Sequence, residues 1–309
     1  MSGKAASKSG VEMVAVGSVG LDTIETPRDR RENLLGGSAS YACAAASLFT
    51  RVGLVGVVGD DFPDGHKRLY ARFGINLDGL ATVPGRTFRW SGAYGEDLNE
   101  RRTLLTELNV FAEFSPSLPE SYRKAPFLLL GNISPELQLH VLDEARSATF
   151  TVADTMDLWI RTARRPLREL IGRVDMLTLN DGEARLLTGE QNLRRCADRI
   201  LEMGPSHVVV KKGEHGAMLV SREGVFLVPG YPVDDVVDPT GAGDSFAGGF
   251  LGALARGGAA EESAVRRALL YGCVVASFGV EAFSLDAFHD LTLPRVEERL
   301  TELKRMLSF

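Results

Sequence analysis

Apolar residues in this chain fall in short blocks set apart by polar and glycine-rich stretches. Blocks at 11–19, 54–58, 127–130, 149–152, 176–179 and 208–210 have the nearly unbroken apolar character of strands covered on both faces. Two further runs, 217–220 and 224–228, read as additional strands. Between them, residues 39–49, 66–73, 135–146 and 167–173 read as helices, the first built of small residues. Strands separated by helices predict an α/β fold with a doubly wound, mostly parallel sheet. Two places break the alternation. Residues 23–34 are polar and charged, and 87–94 with 102–106 read as strands around a polar turn at 95–101. These predict a small strand-built lid, from about 23–34 and 87–109, inserted in one domain that spans 11–309. The polar residues 1–10 are expected to be a disordered tail. Near the end, Leu293, Val296, Leu300, Leu303 and Leu307 recur at spacings of three and four. That is a one-faced helix, which either packs on the sheet or makes a homodimer contact.

Composition narrows the class of protein. The 309 residues are 44% apolar and 25% charged, which excludes disorder as the main state. The 33 glycines are about 11% of the chain, above the usual ~7%, and point to tight turns and close approach of backbone to ligand. A net charge of −6 argues against nucleic acid as the partner, but leaves room for a phosphorylated small molecule held at a local positive site. Three scattered cysteines, Cys43, Cys196 and Cys273, form neither a disulfide framework nor a metal pair. Cys43 and Cys273 lie in apolar helical runs and read as buried thiols, which suits a reducing cytoplasm. The start lacks an apolar signal stretch, and no run reaches the roughly 20 apolar residues of a membrane span. A cytoplasmic protein without membrane association is expected.

The chemistry concentrates in Asp235-Val236-Val237-Asp238-Pro239-Thr240-Gly241-Ala242-Gly243-Asp244-Ser245-Phe246, followed by a run of small and apolar residues. This reads as a strand, a glycine turn and a helix. Gly241 and Gly243 let successive N–H groups face one point, and the helix dipole adds about half a positive charge there. Such a turn binds an anion without a lysine. A carboxylate beside it, Asp244, repels a phosphate and is out of place in a pure binding site. It suits a base that takes a proton from an attacking hydroxyl, which points to phosphoryl transfer to an alcohol. The plainer reading, an Asp that caps a helix, stands beside it on spacing alone.

The segment Asp-Pro-Thr-Gly-Ala-Gly-Asp-Ser-Phe resembles the signature of the ribokinase-like, PfkB-type family of carbohydrate and nucleoside kinases. Gly36-Gly37 before a small-residue helix resembles that family's first signature. Gly17-Ser18-Val19-Gly20-Leu21-Asp22 resembles its first strand with a substrate-binding aspartate, and Asn180-Asp181-Gly182-Glu183 its Asn-x-x-Glu motif. The four matches come in the family's order and span nearly the whole chain. The resemblance implies a ribokinase-like fold and an ATP-dependent kinase acting on a sugar, or alternatively on a nucleoside. It implies Asp244 as base, with the amides of Gly241, Ala242 and Gly243 stabilising the transferring phosphoryl group. Asp22, Gly36 and Gly37 would hold the acceptor. Asn180 and Glu183 would position Mg²⁺ through water, Lys212 and Gly213 would line the nucleotide side, and Asp238 would share in a K⁺ site. The helix at 264–277 and the turn at Gly279 would close over the adenine.

Two departures bear on the acceptor. Tyr41 stands where the family usually has a sugar-binding asparagine, and Gly20 where ribokinases proper carry another. Both losses count against free ribose. Tyr41 offers a ring face and a hydroxyl, and Phe88 and Trp90, two apart on the lid strand, would share a face that covers a nucleobase or a larger sugar. Other classes fit less well. A Gly-x-Gly-x-x-Gly dinucleotide turn is missing after the first strand, and no P-loop occurs. A catalytically silent sensor on the same scaffold would have no use for Asp244.

Overall fold

The computed structural model describes residues 10–98 and 101–308. The tail expected to be disordered, apart from Gly10, lies outside the described residues. In chain order the strands are β1 (Met13–Val16), β2 (Gly20–Glu25), β3 (Arg30–Gly36), β4 (Val52–Gly59), β5 (Asn76–Val83), β6 (Phe88–Tyr94), β7 (Arg101–Glu107), β8 (Phe127–Leu130), β9 (Phe150–Asp154), β10 (Met176–Asn180), β11 (His207–Lys211), β12 (Ala217–Ser221) and β13 (Gly224–Val228). The helices are α1 (Ser38–Ser47), α2 (Asp64–Arg72), α3 (Pro135–Glu144), α4 (Asp157–Thr162), α5 (Arg164–Ile171), α6 (Asp181–Thr188), α7 (Leu193–Leu201), α8 (Ala242–Gly257), α9 (Glu262–Gly279) and α10 (Leu293–Met306).

The apolar blocks pair into a nine-stranded sheet in the order β13-β12-β11-β10-β9-β8-β1-β4-β5. It is parallel from β11 through β5, and β12 and β13 add an antiparallel edge. Alternate side chains of β1 enter different cores, as a period of two requires. Met13 and Ala15 join a cluster with α1, α8 and α9, whereas Val14 and Val16 join one with α3, α5 and α7. The strand order reverses about β1, which lies between β4 and β8. In open α/β sheets the crevice at such a reversal, outside the carboxyl ends of the strands, is where ligands bind.

Helix α8 packs close to its neighbours because it is made of small residues. A Cβ on Gly248 would stand 2.1 Å from the carbonyl oxygen of Ala42 in α1, and one on Gly252 would stand 2.8 Å from Ala46 Cα. These glycines are four apart and so share one face. Gly249, on another face, receives Val275 of α9. The amino end of α8 is thereby fixed over the sheet.

A second, four-stranded sheet has the order β3-β2-β6-β7. The polar run at 23–34 contributes to β2 and β3, and the segments at 87–94 and 102–106 form β6 and β7. β2 pairs with β6 in parallel, with Asp22 beside Trp90, and the outer pairs are antiparallel. The expected turn at 95–101 falls partly outside the described residues.

The expectation of a strand before the glycine turn is corrected. Residues 231–239 form no strand. Their N–H groups find no neighbouring strand; those of Val237 and Asp238 instead donate to Val280 O at the end of α9, at 2.8 and 3.2 Å. β5 and helices α4 and α7 also appear without having been expected: no residue of β5 is fully buried, and the two helices are only six and nine residues long. The final helix buries Val296, Leu300 and Leu303 in the main core, while Leu307 lies past its end and is exposed. All three cysteines are free and buried. Among the described residues, no helix is long and apolar enough to cross a membrane.

Candidate active site

Gly241 caps α8 with φ 74°, a left-handed conformation that glycine adopts without strain. A Cβ here would also stand 2.4 Å from the ring of Tyr41. Tyr41 is 2% exposed, and its ring packs directly under the turn. That face is therefore taken and offers no stacking platform to a ligand; the hydroxyl is buried without a partner. Gly241, Ala242 and Gly243 come together at the helix start as expected, with one difference. The N–H of Ala242 turns back onto Pro239 O at 3.2 Å and is committed to the turn.

Asp244 occupies the first turn of α8, half-buried. Its carboxyl is pushed up to about 7, first by burial and then by Asp154, while Lys211 and Arg101 pull it back. A carboxyl that gives up its proton near neutrality is suited to accept one from a hydroxyl.

On the sheet side, Asp154, Asn180 and Lys211 end the adjacent strands β9, β10 and β11, with Asn180 in register with Lys211. Lys211 reaches across β10 and places Nζ 3.0 and 3.1 Å from the two oxygens of Asp154. Asp154 also accepts from Thr178 Oγ1 at 3.0 Å and from its neighbour Thr155 N at 3.1 Å. Burial works against the charge on Lys211, but Asp154, Glu183 and Asp244 outweigh it and hold the ammonium above its usual range. The same Nζ lies 3.1 Å from where a Cβ on Gly243 would stand.

Sequence reasoning chose Lys212, took Lys211 only as part of what could be a solvated strand end, and overlooked Asp154. The one available signal was a lysine closing a buried apolar strand. Lys212 is half-buried, its N–H bonded to Gly216 O at 2.8 Å, and Gly213 begins an exposed turn.

Asn180 and Glu183 form a capping box on α6. Asn180 Oδ1 accepts from Glu183 N at 2.8 Å, and Glu183 Oε2 accepts from Asn180 N at 2.7 Å. The Glu183 carboxyl is raised to about 7, chiefly by burial, against the pull of Lys211. Its Oε1 takes no part in the cap.

Asp22 is 4% exposed on β2, and Gly36 alone makes room for it: a Cβ there would fall 1.9 Å from Asp22 Oδ2. Burial, then Asp238 and Asp244, push the Asp22 carboxyl up to about 8, and Oδ1 has no partner. Asp22 therefore holds its proton more tightly than an ordinary carboxyl does. Gly37, at φ 94°, caps α1. Asp238 is fully buried and ties the signature loop to its surroundings. Oδ1 accepts from Thr240 N at 2.9 Å and Oδ2 from Ser284 N at 3.2 Å. Ser284 in turn donates to Leu35 O at 2.5 Å, linking Asp238 to the strand that carries Gly36.

The second sheet touches this site through β6, β7 and the turn between β2 and β3. Tyr94 OH lies 2.9 Å from Thr240 Oγ1, and Arg28 pairs with Asp235. Trp90 donates to Thr103 Oγ1 at 3.3 Å, and the guanidinium of Arg101 stands 5.4 Å over its ring. Phe88 does not share these surroundings. It packs on Gly20 and on Phe111, 5.4 Å away between ring centres, at the junction with the main body.

The arrangement joins a carboxyl raised toward neutrality, a glycine turn at a helix start, a buried ammonium and a buried aspartate with a raised carboxyl. Comparison with known proteins identifies the family and the fold. A family model for pfkB family carbohydrate kinases matches residues 14–286. A cytidine kinase from Thermococcus kodakarensis is 32% identical over 260 residues, covering 82% of this chain and 91% of its own. The fold is that of a Methanocaldococcus jannaschii nucleoside kinase, an archaeal member of the ribokinase family, with TM-score 0.76 at 23% identity over 95% of this chain and 99% of that one. An Escherichia coli protein solved with ATP and Mg²⁺ superposes with TM-score 0.78 at 19% identity, covering 94% and 99%.

Proposed function

Because the chain belongs to the pfkB family of carbohydrate kinases, we propose that it transfers the terminal phosphoryl group of ATP to a primary hydroxyl of a nucleoside. The observation that carries the transfer is Asp244, which stands at the start of α8 beside the glycine turn with a carboxyl raised to about 7. Asp22 and the edge formed by Gly36 and Gly37 hold the acceptor's ring hydroxyls. Asp244 takes the proton of the primary hydroxyl as its oxygen attacks the γ-phosphorus. The new O–P bond forms, the bond to the bridging oxygen breaks, and ADP leaves with the electron pair. The amides of Gly241 and Gly243 face the charge that builds on the phosphoryl oxygens, each such donor being worth ~10²–10³ in rate. Lys212 and Gly213 line the nucleotide, with the end of α9 and Gly279 against the base.

The donor set fits Mg²⁺. Among the described residues no three His, Cys, Asp or Glu side chains gather into a metal cage, yet Glu183 presents a free carboxylate oxygen beside the phosphate site. Mg²⁺ is commonly held by one carboxylate, water and phosphates, and here Glu183 and Asn180 would hold it. When bound, the ion screens charge between the β- and γ-phosphates. A potassium requirement at Asp238 is read by comparing turnover in potassium and sodium salts. Three free, buried thiols support a cytoplasmic setting.

The nucleoside is favoured by the extent of the likeness to the cytidine kinase and by the register that sets Trp90 beside Asp22. A free sugar is the second reading, favoured because Arg101 already covers the Trp90 ring. ADP release is measured with cytidine, other nucleosides, ribose and deoxyribose. Cytidine or another nucleoside is expected to give the highest kcat/KM, and Trp90→Ala to raise the nucleoside KM about tenfold, consistent with the ~1–3 kcal/mol of a base–aromatic contact, with little effect on a sugar. Preference for a free sugar with equal Trp90→Ala effects establishes the second reading. Turnover with none of them ends both readings of the acceptor.

A further inference from the structure

Lys211 has no part in the roles above, yet its placement is costly and specific. β11 sends Val208 and Val210 into one core and Val209 into the other, the one that contains α8. Lys211 is in phase with Val209 and so lies on the α8 side. There it forms a pair with Asp154 in which the two side chains are 16% and 8% exposed. An ammonium has three N–H donors. Asp154 accepts at most two and is the only hydrogen-bond partner of Nζ among the described residues. The remaining donor sits at the glycine turn, since Nζ is 3.1 Å from the point a Cβ on Gly243 would fill. Any larger residue at 243 would press on the ammonium. The charge also acts on Asp244 and Glu183, on either side of it.

We propose that Lys211, anchored by Asp154, donates its free N–H to an oxygen of the transferring phosphoryl group and is a catalytic residue of the reaction. This rests on the kinase reading above. Asp154 is then a positioning residue: it aims the ammonium and stops it from folding onto Asp244. As the phosphoryl group moves, negative charge collects on its oxygens beside a donor that is already in place and shielded from water, which is where such a donor lowers the barrier.

The test must separate this role from mere neutralisation of Asp154. Lys211→Met alone leaves Asp154 buried without a counter-charge and can fail to fold. The double variant K211M/D154N removes both charges and keeps the packing. It is expected to melt close to the parent, to lose ~10²–10³-fold in kcat and to keep the acceptor KM. Its calorimetric affinity for the β,γ-imido analogue of ATP is expected to fall at least tenfold while that for ADP holds, because only the analogue carries the terminal phosphoryl group. Recovery of kcat to within about threefold of the parent in the double variant, or an equal change in the two affinities, overturns the proposal. The affinity comparison needs no turnover. A parent that phosphorylates nothing therefore ends the kinase reading, while the two affinities still decide the role of Lys211.

Discussion

At the level of the single residue, Asp244 makes the strongest claim. Its carboxyl titrates near 7, and only the ionised form can accept a proton. In the parent, kcat/KM is expected to fall about tenfold per unit as pH drops below that value, and to level off above it. Asp244→Asn is expected to lower kcat by ~10²–10⁴ and to abolish this acid limb while nucleotide still binds. An Asn variant with an unchanged acid limb would assign the titration, and the base, to another group. Asp244 could be picked out of the sequence because glycines and carboxylate are contiguous. Tyr41 could be picked out as a departure, but its place under Gly241 could not, because 200 residues separate the two.

At the level of the element, α8 decides whether the site is assembled. Its glycines let α1 approach to backbone contact, and this sets the height of the helix start over the sheet. Gly248→Ala forces a methyl group against Ala42 O and is expected to cost about 1–3 kcal/mol, read as a lower denaturation midpoint. It is also expected to lower kcat by an order of magnitude or more, although position 248 lies a full turn from Asp244. Loss of stability with full kcat would mean that the glycine turn is held by its own loop rather than by the helix. The small-residue run at 247–255 was legible as a helix. The direction it presses in was not, since glycine carries no hydrophobic signal to mark a face.

For the whole molecule, the site holds carboxyls that resist ionisation: Asp22 at about 8, Asp244 and Glu183 at about 7, and Asp238 also raised, each first through burial. Raised carboxyls mean that the folded state binds more protons than the unfolded one between about pH 4 and pH 8. Their contribution is present at the acid end of that window and is lost as pH rises through it. The melting temperature of the free protein is thus expected to fall from pH 5 to pH 9. Asp22→Asn is expected to flatten the fall, melting above the parent at pH 9. Parallel curves for parent and variant would refute the account. The resemblance put these acids in one site, but their burial and mutual repulsion were not legible: both arise only when β2 folds over the start of α8.

The amino-acid sequence alone determined the alternation of buried strands and helices, and with it the α/β class. It also determined the glycine turn with its carboxylate and the polar segments that leave the main sheet. These depend on periodicity and on neighbours along the chain, which any reader of the order of residues possesses. Tertiary structure alone decided the Lys211–Asp154 pair, the ring beneath Gly241, the pairing of Asp22 with Trp90, and the loop that took the place of a strand before the turn. Each of these requires two segments distant in sequence to meet at an ångström-scale separation, and that separation is set by strand order and helix packing.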